Sequence, residues 1–194
     1  MKTIQIKFKT LLLLLLVGWA FTSCSKEDDS ITDPDENSGG KDMVATIALE
    51  SGNEIDFGSN FSNITGAKPT LIHEKGSDQS VLAIAGIMGN RSITITALIN
   101  GEGDYSYTEN FDEDDNETGA TISFSRLKDD DMEFFAPFNL SDGTMGTVKL
   151  TITSLAENHI KATFSATLFS VKTSEKVTIK DGKIDSELDR REID

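Results

Sequence analysis

Alternation of apolar and polar residues is the feature that most limits what this chain can fold into. In segment 147–153 every second residue is valine, leucine or isoleucine, and the residues between them are lysine and threonine; segments 92–99 and 160–168 largely repeat this pattern. A period of two places the apolar side chains on one face of an extended strand, whereas a helix would distribute them around its axis. The pattern therefore predicts half-buried antiparallel strands.

Further segments combine this spacing with β-branched and aromatic residues, namely 44–49, 54–57, 64–73, 81–88, 104–107, 120–127, 132–136 and 176–184. Turn-forming pairs such as Gly89-Asn90 and Asn100-Gly101 separate the runs, and these residues suit hairpin turns. Asp181-Gly182 interrupts the last run, which predicts a turn or a bulge there. We therefore expect an all-β fold of about 8–11 strands, either an antiparallel β-sandwich or a flattened, partly closed barrel.

The N-terminus has the pattern of a signal peptide. Three lysines precede an apolar run of eleven residues, 11–21, which at ~1.5 Å per residue is too short to cross a hydrocarbon layer of ~30 Å as a helix. The run ends Ala20-Phe21-Thr22-Ser23-Cys24, and Cys24 is the only cysteine. Because a thiol is the nucleophile that thioether formation requires, this segment resembles a lipobox. We predict that residues 1–23 are a lipoprotein signal peptide and that Cys24 is lipidated.

The segment after Cys24 predicts a tether and a location. Residues 24–42 contain one large aliphatic residue, Ile31, so they are expected to form a disordered acidic tether. The tether begins with Lys26, Glu27, Asp28 and Asp29, which resemble the lysine-plus-acidic export signal of surface-exposed lipoproteins of Bacteroidota; a generic acidic linker is the alternative. The predicted location is the outer membrane, with the chain lipid-anchored and exposed at the cell surface.

Net charge limits the classes of partner. The chain carries 18 basic and 33 acidic residues and a formal charge of −15; removal of residues 1–23 takes away three lysines and no acidic residue, which makes the charge −18. A chain of this charge repels the phosphate backbone, so we expect no nucleic-acid partner. The expected partners are a membrane, through the lipid anchor, and a glycan or another envelope protein.

Several strand-and-turn motifs together resemble an uncharacterised domain family of small Bacteroidota lipoproteins. These motifs are ITGAK at 64–68, SITIT at 92–96, GEGDY at 101–105, GTVKLTITSL at 146–155, NHIKATF at 158–164 and KVTIKDG at 176–182. The resemblance covers most of residues 44–184. The chain departs from the family at Ala162, where glycine is typical, and in a longer acidic insert near 111–118. The resemblance implies a location and an all-β fold and no particular chemistry.

Composition divides the chain into four parts. Residues 1–23 are the predicted signal peptide, 24–42 the lipidated cysteine and tether, and 43–184 a single all-β domain. Seven of the ten residues in 185–194 are charged, so we expect these residues to form a frayed tail.

An acidic loop is the candidate cation site. Asp112, Asp114 and Asn116 offer oxygen ligands at alternate positions, a spacing that suits Ca²⁺. The loop does not match an EF-hand, because Glu117 stands where that loop needs glycine and Ser123 where it needs a bidentate glutamate. A solvated hairpin tip is the competing interpretation. Ca²⁺ is the candidate cofactor, and no other is expected.

A glycine-rich turn supplies the candidate glycan-binding residues. Tyr105 and Tyr107 lie two residues apart, on one face of a strand, and Glu102 and Asp104 precede them. Aromatic rings can stack on sugars, and two carboxylates about 5–10 Å apart can hydrolyse a glycosidic bond. A hairpin end with polar exterior residues is the alternative.

No catalytic pattern stands out in the sequence. The two histidines, His73 and His159, are far apart along the chain and could form a zinc site only if folding joined them. We therefore expect a non-enzymatic, envelope-anchored binding or assembly module. A glycan-acting hydrolase and a Ca²⁺-stabilised structural surface protein are the alternatives.

Overall fold

Twelve strands account for most of the residues that the structure, a computed structural model, describes. The described residues are 40–61, 68–106, 118–126, 132–136, 143–170 and 172–194. No α-helix occurs in these ranges, and none of their segments is a helix long and apolar enough to cross a membrane. The strands are β1 (Met43–Leu49), β2 (Glu54–Ser59), β3 (Thr70–Glu74), β4 (Ser80–Met88), β5 (Arg91–Ile99), β6 (Gly103–Ser106), β7 (Gly119–Arg126), β8 (Met132–Ala136), β9 (Thr147–Leu155), β10 (His159–Ser170), β11 (Lys176–Glu187) and β12 (Asp189–Ile193).

All twelve strands belong to one curled sheet, an open half-barrel. The main order is β12-β3-β4-β5-β7-β8-β10-β11-β1-β2. Strand β10 pairs with β8 only at Phe169 and Ser170, and with β9 along residues 160–167; β6 adds to the far side of β9. The predicted all-β fold is confirmed. Of the two predicted architectures, the structure adopts the partly closed barrel.

Alternation along the strands places the core on the inner face of the curl. Val148, Leu150 and Ile152 of β9 are 5%, 0% and 2% exposed, and the threonines and lysine between them face outward. Strand β5 follows the same rule at Ile93, Ile95, Ala97 and Ile99. One continuous cluster of buried side chains joins these strands to β1, β7, β10 and β11. The sequence therefore predicted correctly which residues of β5, β9 and β10 point inward.

Asp181-Gly182, predicted as a turn or a bulge, forms a bulge within a continuous β11. The register slips by one residue against β1, between Val44 and Thr46, and also against β10, between Phe164 and Ala166. Asp181 adopts a left-handed backbone conformation with φ 51°, which aspartate tolerates better than most residues. The strand therefore bends at Asp181 without ending there.

The predicted frayed tail at 185–194 is wrong. Strand β11 extends to Glu187, and β12 pairs in parallel with β3 along the five residue pairs from Asp189–Thr70 to Ile193–Glu74. Between the two strands, Leu188 is buried and its N–H donates to the Asn158 carbonyl at 2.9 Å. A strand at a sheet edge is held by backbone hydrogen bonds and can remain charged on both faces. Charge alone therefore did not indicate disorder.

The domain consequently extends beyond the predicted limit at residue 184. The compact unit that contains the sheet extends from Asn37 to Asp194. The described residues form twelve strands, where period-two patterning predicted about 8–11. Residues 1–39 lie outside the described residues.

Candidate ligand-binding groove on the outward face

The outward face of β9, β10 and β11 is a continuous polar surface. Because inward positions on these strands are taken by the core, every second side chain faces solvent. The outward residues are lysines, threonines, serine and carboxylates: Thr147, Lys149, Thr151 and Thr153 on β9, Lys161, Thr163, Ser165 and Thr167 on β10, and Lys176, Thr178, Lys180, Lys183, Asp185 and Glu187 on β11.

The β11 bulge produces an open groove on this face. A bulge bends its strand and redirects the side chains beside it. The groove has a volume of about 270 Å³, and we call it the bulge groove; its polar lining comes from Lys149, Thr151, Thr163, Ser165, Asp181 and Lys183. Gly182 and Phe164 complete the lining at the bulge. The groove thus combines two ammonium groups, three hydroxyls and one carboxylate.

The bulge requires glycine at position 182 because the ring of Phe164 packs against it. A Cβ atom at Gly182 would be 2.6 Å from the carbonyl oxygen of Phe164 and 2.7 Å from two of its ring carbons. Real Cβ atoms essentially never approach other atoms so closely. Gly182 therefore lets the backbone of β11 lie directly over Phe164, which is 3% exposed.

The two groove lysines differ from Lys161 and Lys180, which lie on the same face and are paired with carboxylates. Lys161 forms an ion pair with Asp185 at 2.8 Å, and Lys180 with Glu54 at 3.3 Å. Among the described residues, the side-chain ammonium groups of Lys149 and Lys183 have no ion-pair or hydrogen-bond partner. Both charges are therefore available to a ligand in a protein that is otherwise strongly acidic.

An ion-pair cluster lies beside the groove, at one end of β10 and β11. The Asp185 carboxylate accepts hydrogen bonds from Lys161 Nζ at 2.8 Å and from His159 Nε2 at 2.6 Å. These bonds lower the pKa of Asp185, and the bond from Lys161 has the larger effect. In the same way, the ion pair of Lys68 with Glu187 lowers the pKa of that glutamate and raises the pKa of Lys68. The outward charges at this end therefore neutralise one another.

The structure does not bring the two histidines together with a common partner. His73 Nδ1 lies 3.1 Å from Ser80 Oγ, whereas His159 bonds to Asp185. Within the described ranges there is no group of three or more histidine, cysteine, aspartate or glutamate side chains that could hold a metal ion.

The predicted glycan-binding turn lies at β6, and its residues point in different directions. Tyr105 is 3% exposed, and its hydroxyl donates to the Gly101 carbonyl at 2.7 Å. Its ring is thus part of the core and offers no stacking surface to a sugar. Asp104 lies on the opposite, outward side of β6 and accepts a hydrogen bond from the Thr151 hydroxyl, and Glu102 accepts one from the Leu155 N–H at 2.9 Å.

Other candidate residues from the sequence lie outside the described residues. These are Tyr107, the acidic-loop residues Asp112, Asp114 and Asn116, the lipidation site Cys24, and the export-signal residues Lys26, Glu27, Asp28 and Asp29. The Ca²⁺ site and the lipid anchor therefore stay predictions.

The bulge groove was not among the sites predicted from the sequence. Its signals were present separately, as the alternation that places Lys149 outward and as the interruption at Asp181-Gly182. The missing information was that β9 and β11 both flank β10, which brings the two lysines to one groove.

Comparison of the chain with protein-family models, with curated protein sequences and with solved structures gives no match. The resemblance to small Bacteroidota lipoproteins therefore stays a prediction from the motifs.

Proposed function

We propose that this chain is an envelope-anchored binding module without catalytic activity, and that the bulge groove is its binding site. The observation that supports this is the pair of unpartnered lysines in a hydroxyl-lined groove. Specific sites use a small number of polar groups that converge on a ligand. Lys149, Lys183, Thr163 and Ser165 provide such groups on three neighbouring strands.

The chemistry of the groove favours binding over glycan hydrolysis. Enzymes that cleave glycosidic bonds generally use two carboxyl groups, and the groove is lined by one, Asp181. The two carboxylates proposed from the sequence, Glu102 and Asp104, accept hydrogen bonds from β9. These hydrogen bonds link the β6 region to β9.

The N-terminal pattern supports the envelope part of the proposal. A signal peptide at 1–23 with lipidation at Cys24 would attach the chain to a membrane, and the tether to residue 42 would hold the groove away from the lipid surface. Two or more acyl chains anchor stably, whereas one binds marginally. The outer membrane, with the chain facing the exterior, is the location that the predicted export signal Lys26-Glu27-Asp28-Asp29 favours.

Thermal unfolding of the full-length chain tests the proposal. Polysaccharide and outer-membrane protein fractions from the source bacterium would be added separately. A ligand present at about 100 times its dissociation constant should stabilise the folded state by about 2.7 kcal/mol, which is a shift of several degrees. The Lys149→Ala/Lys183→Ala double variant should lose this shift.

Lys176→Ala is the matched control, because Lys176 is exposed on the same face of β11 and outside the groove lining. It should retain the shift. No shift with either fraction, or an equal shift in the double variant, would reject the bulge groove as a binding site.

A further inference from the structure

Strand register places the two groove lysines on opposite sides of β10. Lys149 of β9 is paired with Ser165, and Lys183 of β11 is paired with Thr163. The two Cα atoms are therefore separated by two strand spacings and by two residues along the strand, which is about 12 Å. Because lysine has a flexible four-carbon stem, both ammonium groups can reach one ligand that lies over Thr163 and Ser165.

The hydroxyls between the lysines are also available. Among the described residues, the side chains of Thr163 and Ser165 form no hydrogen bond, whereas Thr151 donates to Asp104. A free hydroxyl both donates and accepts, so it can bind an anionic oxygen or a ligand hydroxyl. The centre of the groove thus suits a ligand with several oxygen atoms.

Asp181 limits which ligands fit. Asp181 lines the groove, and its carboxylate repels anionic groups and accepts hydrogen bonds from hydroxyl groups. A ligand that satisfies the whole lining therefore carries negative charge toward the lysines and neutral hydroxyls toward Asp181. Inorganic anions supply the charge without the hydroxyls, and neutral sugars supply the hydroxyls without the charge.

The overall acidity of the chain does not prevent such binding. At physiological ionic strength the Debye length is about 8 Å, so exposed carboxylates farther away than this are largely screened. Contact with Lys149 and Lys183 is made within that distance. The charges nearest the ligand, which are those of Lys149, Lys183, Asp181 and the Asp104 carboxylate bonded to Thr151, then act on it more strongly than distant carboxylates do.

We propose that the bulge groove binds an acidic carbohydrate, with its carboxylate or sulfate groups held by Lys149 and Lys183 and its hydroxyls by Thr163, Ser165 and Asp181. This inference rests on the proposed function and adds the class of ligand. The two anionic groups share one chemistry here, since a lysine ammonium interacts with either as a point charge.

Isothermal titration calorimetry of the full-length chain in detergent tests the inference. Four probes are compared: polygalacturonate, dextran sulfate, neutral dextran, and tripolyphosphate as an anion without hydroxyls. Polygalacturonate or dextran sulfate should bind more tightly than the other two, and the tighter of the pair identifies the anionic group. Lys149→Ala and Lys183→Ala should each weaken this binding about tenfold, and Thr163→Val about fivefold.

Lys176→Ala should leave the affinity unchanged, which separates recognition in the groove from attraction to any surface lysine. Equal binding of tripolyphosphate or of neutral dextran, or an equal loss in Lys176→Ala, would overturn the inference. Absence of binding to all four probes would also overturn it. If envelope fractions still stabilise the chain in a way that depends on Lys149 and Lys183, the proposed function stands although the acidic-carbohydrate inference fails. If no such stabilisation is observed, both the proposed function and the inference are rejected.

Discussion

At the scale of single residues, Gly182 determines how closely β11 approaches Phe164. An added methyl group would overlap the Phe164 carbonyl oxygen and its ring carbons, so Gly182→Ala must displace either the ring or the backbone. We expect it to lower the free energy of unfolding by about 1–3 kcal/mol, measured by urea denaturation. Gly119→Ala is the control, since the nearest atom to its Cβ would be 3.6 Å away. Equal midpoints for the two variants would show that Phe164 and the bulge adapt freely.

The carboxylate of Asp185 makes stability depend on pH. Its pKa lies below the ordinary value of 3.8, because the folded chain holds its ionised form with Lys161 and, to a smaller degree, His159. The resulting stabilisation is fully present above pH 3.8 and is lost as pH falls through the lower pKa of the folded state. Carboxyl NMR should place the Asp185 midpoint below 3.8, and Lys161→Ala should raise it more than His159→Ala. A midpoint at or above 3.8 would contradict the observed bonding.

Tyr105 illustrates that the sequence of a short strand does not show which of its side chains face the core. Strand β6 has four residues, so its period-two pattern is too brief to identify the inward side. The same alternation that puts Asp104 outward puts Tyr105 inward, and a carboxylate and ring next to each other in sequence therefore lie on opposite faces. The burial of Tyr105 and its hydroxyl bonds with Gly101 and Asn100 identify the ring as structural.

At the scale of elements, β12 closes the edge of β3. Removing residues 189–194 should expose the β3 backbone groups that pair with β12, at a cost of about 1 kcal/mol for each hydrogen bond. Hydrogen exchange followed by mass spectrometry should then show faster exchange in residues 70–74. Residues 91–99 of β5 pair on both sides with other strands, so their exchange is the internal control. Unchanged exchange at 70–74 would mean that β12 does not protect this edge.

At the scale of the whole molecule, the N-terminal segment is predicted to determine where the chain is located. Lipidation at Cys24 should place the chain in the outer-membrane fraction, and mass spectrometry should find a diacylglyceryl thioether on a chain that begins at residue 24. Cys24→Ser should keep residues 1–23 and lose the thioether. An unmodified mass for the native chain would reject the anchor.

A second variant separates anchoring from surface display. With Lys26, Glu27, Asp28 and Asp29 replaced by alanine, the chain should remain lipidated and become protected from protease added to intact cells. Equal digestion of both forms would show that these residues act only as a linker.

Period-two patterning by itself determined the all-β class and most strand positions, because burial of one face depends only on which residues alternate. It also determined the inward residues of β5, β9 and β10, and it marked Asp181-Gly182 as an irregular point. Tertiary structure decided which strands are neighbours, since backbone hydrogen bonds form between any two extended segments regardless of side chains. For that reason only the folded chain shows that β12 pairs with β3 and that the sheet forms a half-barrel. It also shows that Lys149 and Lys183 line one groove beside the bulge.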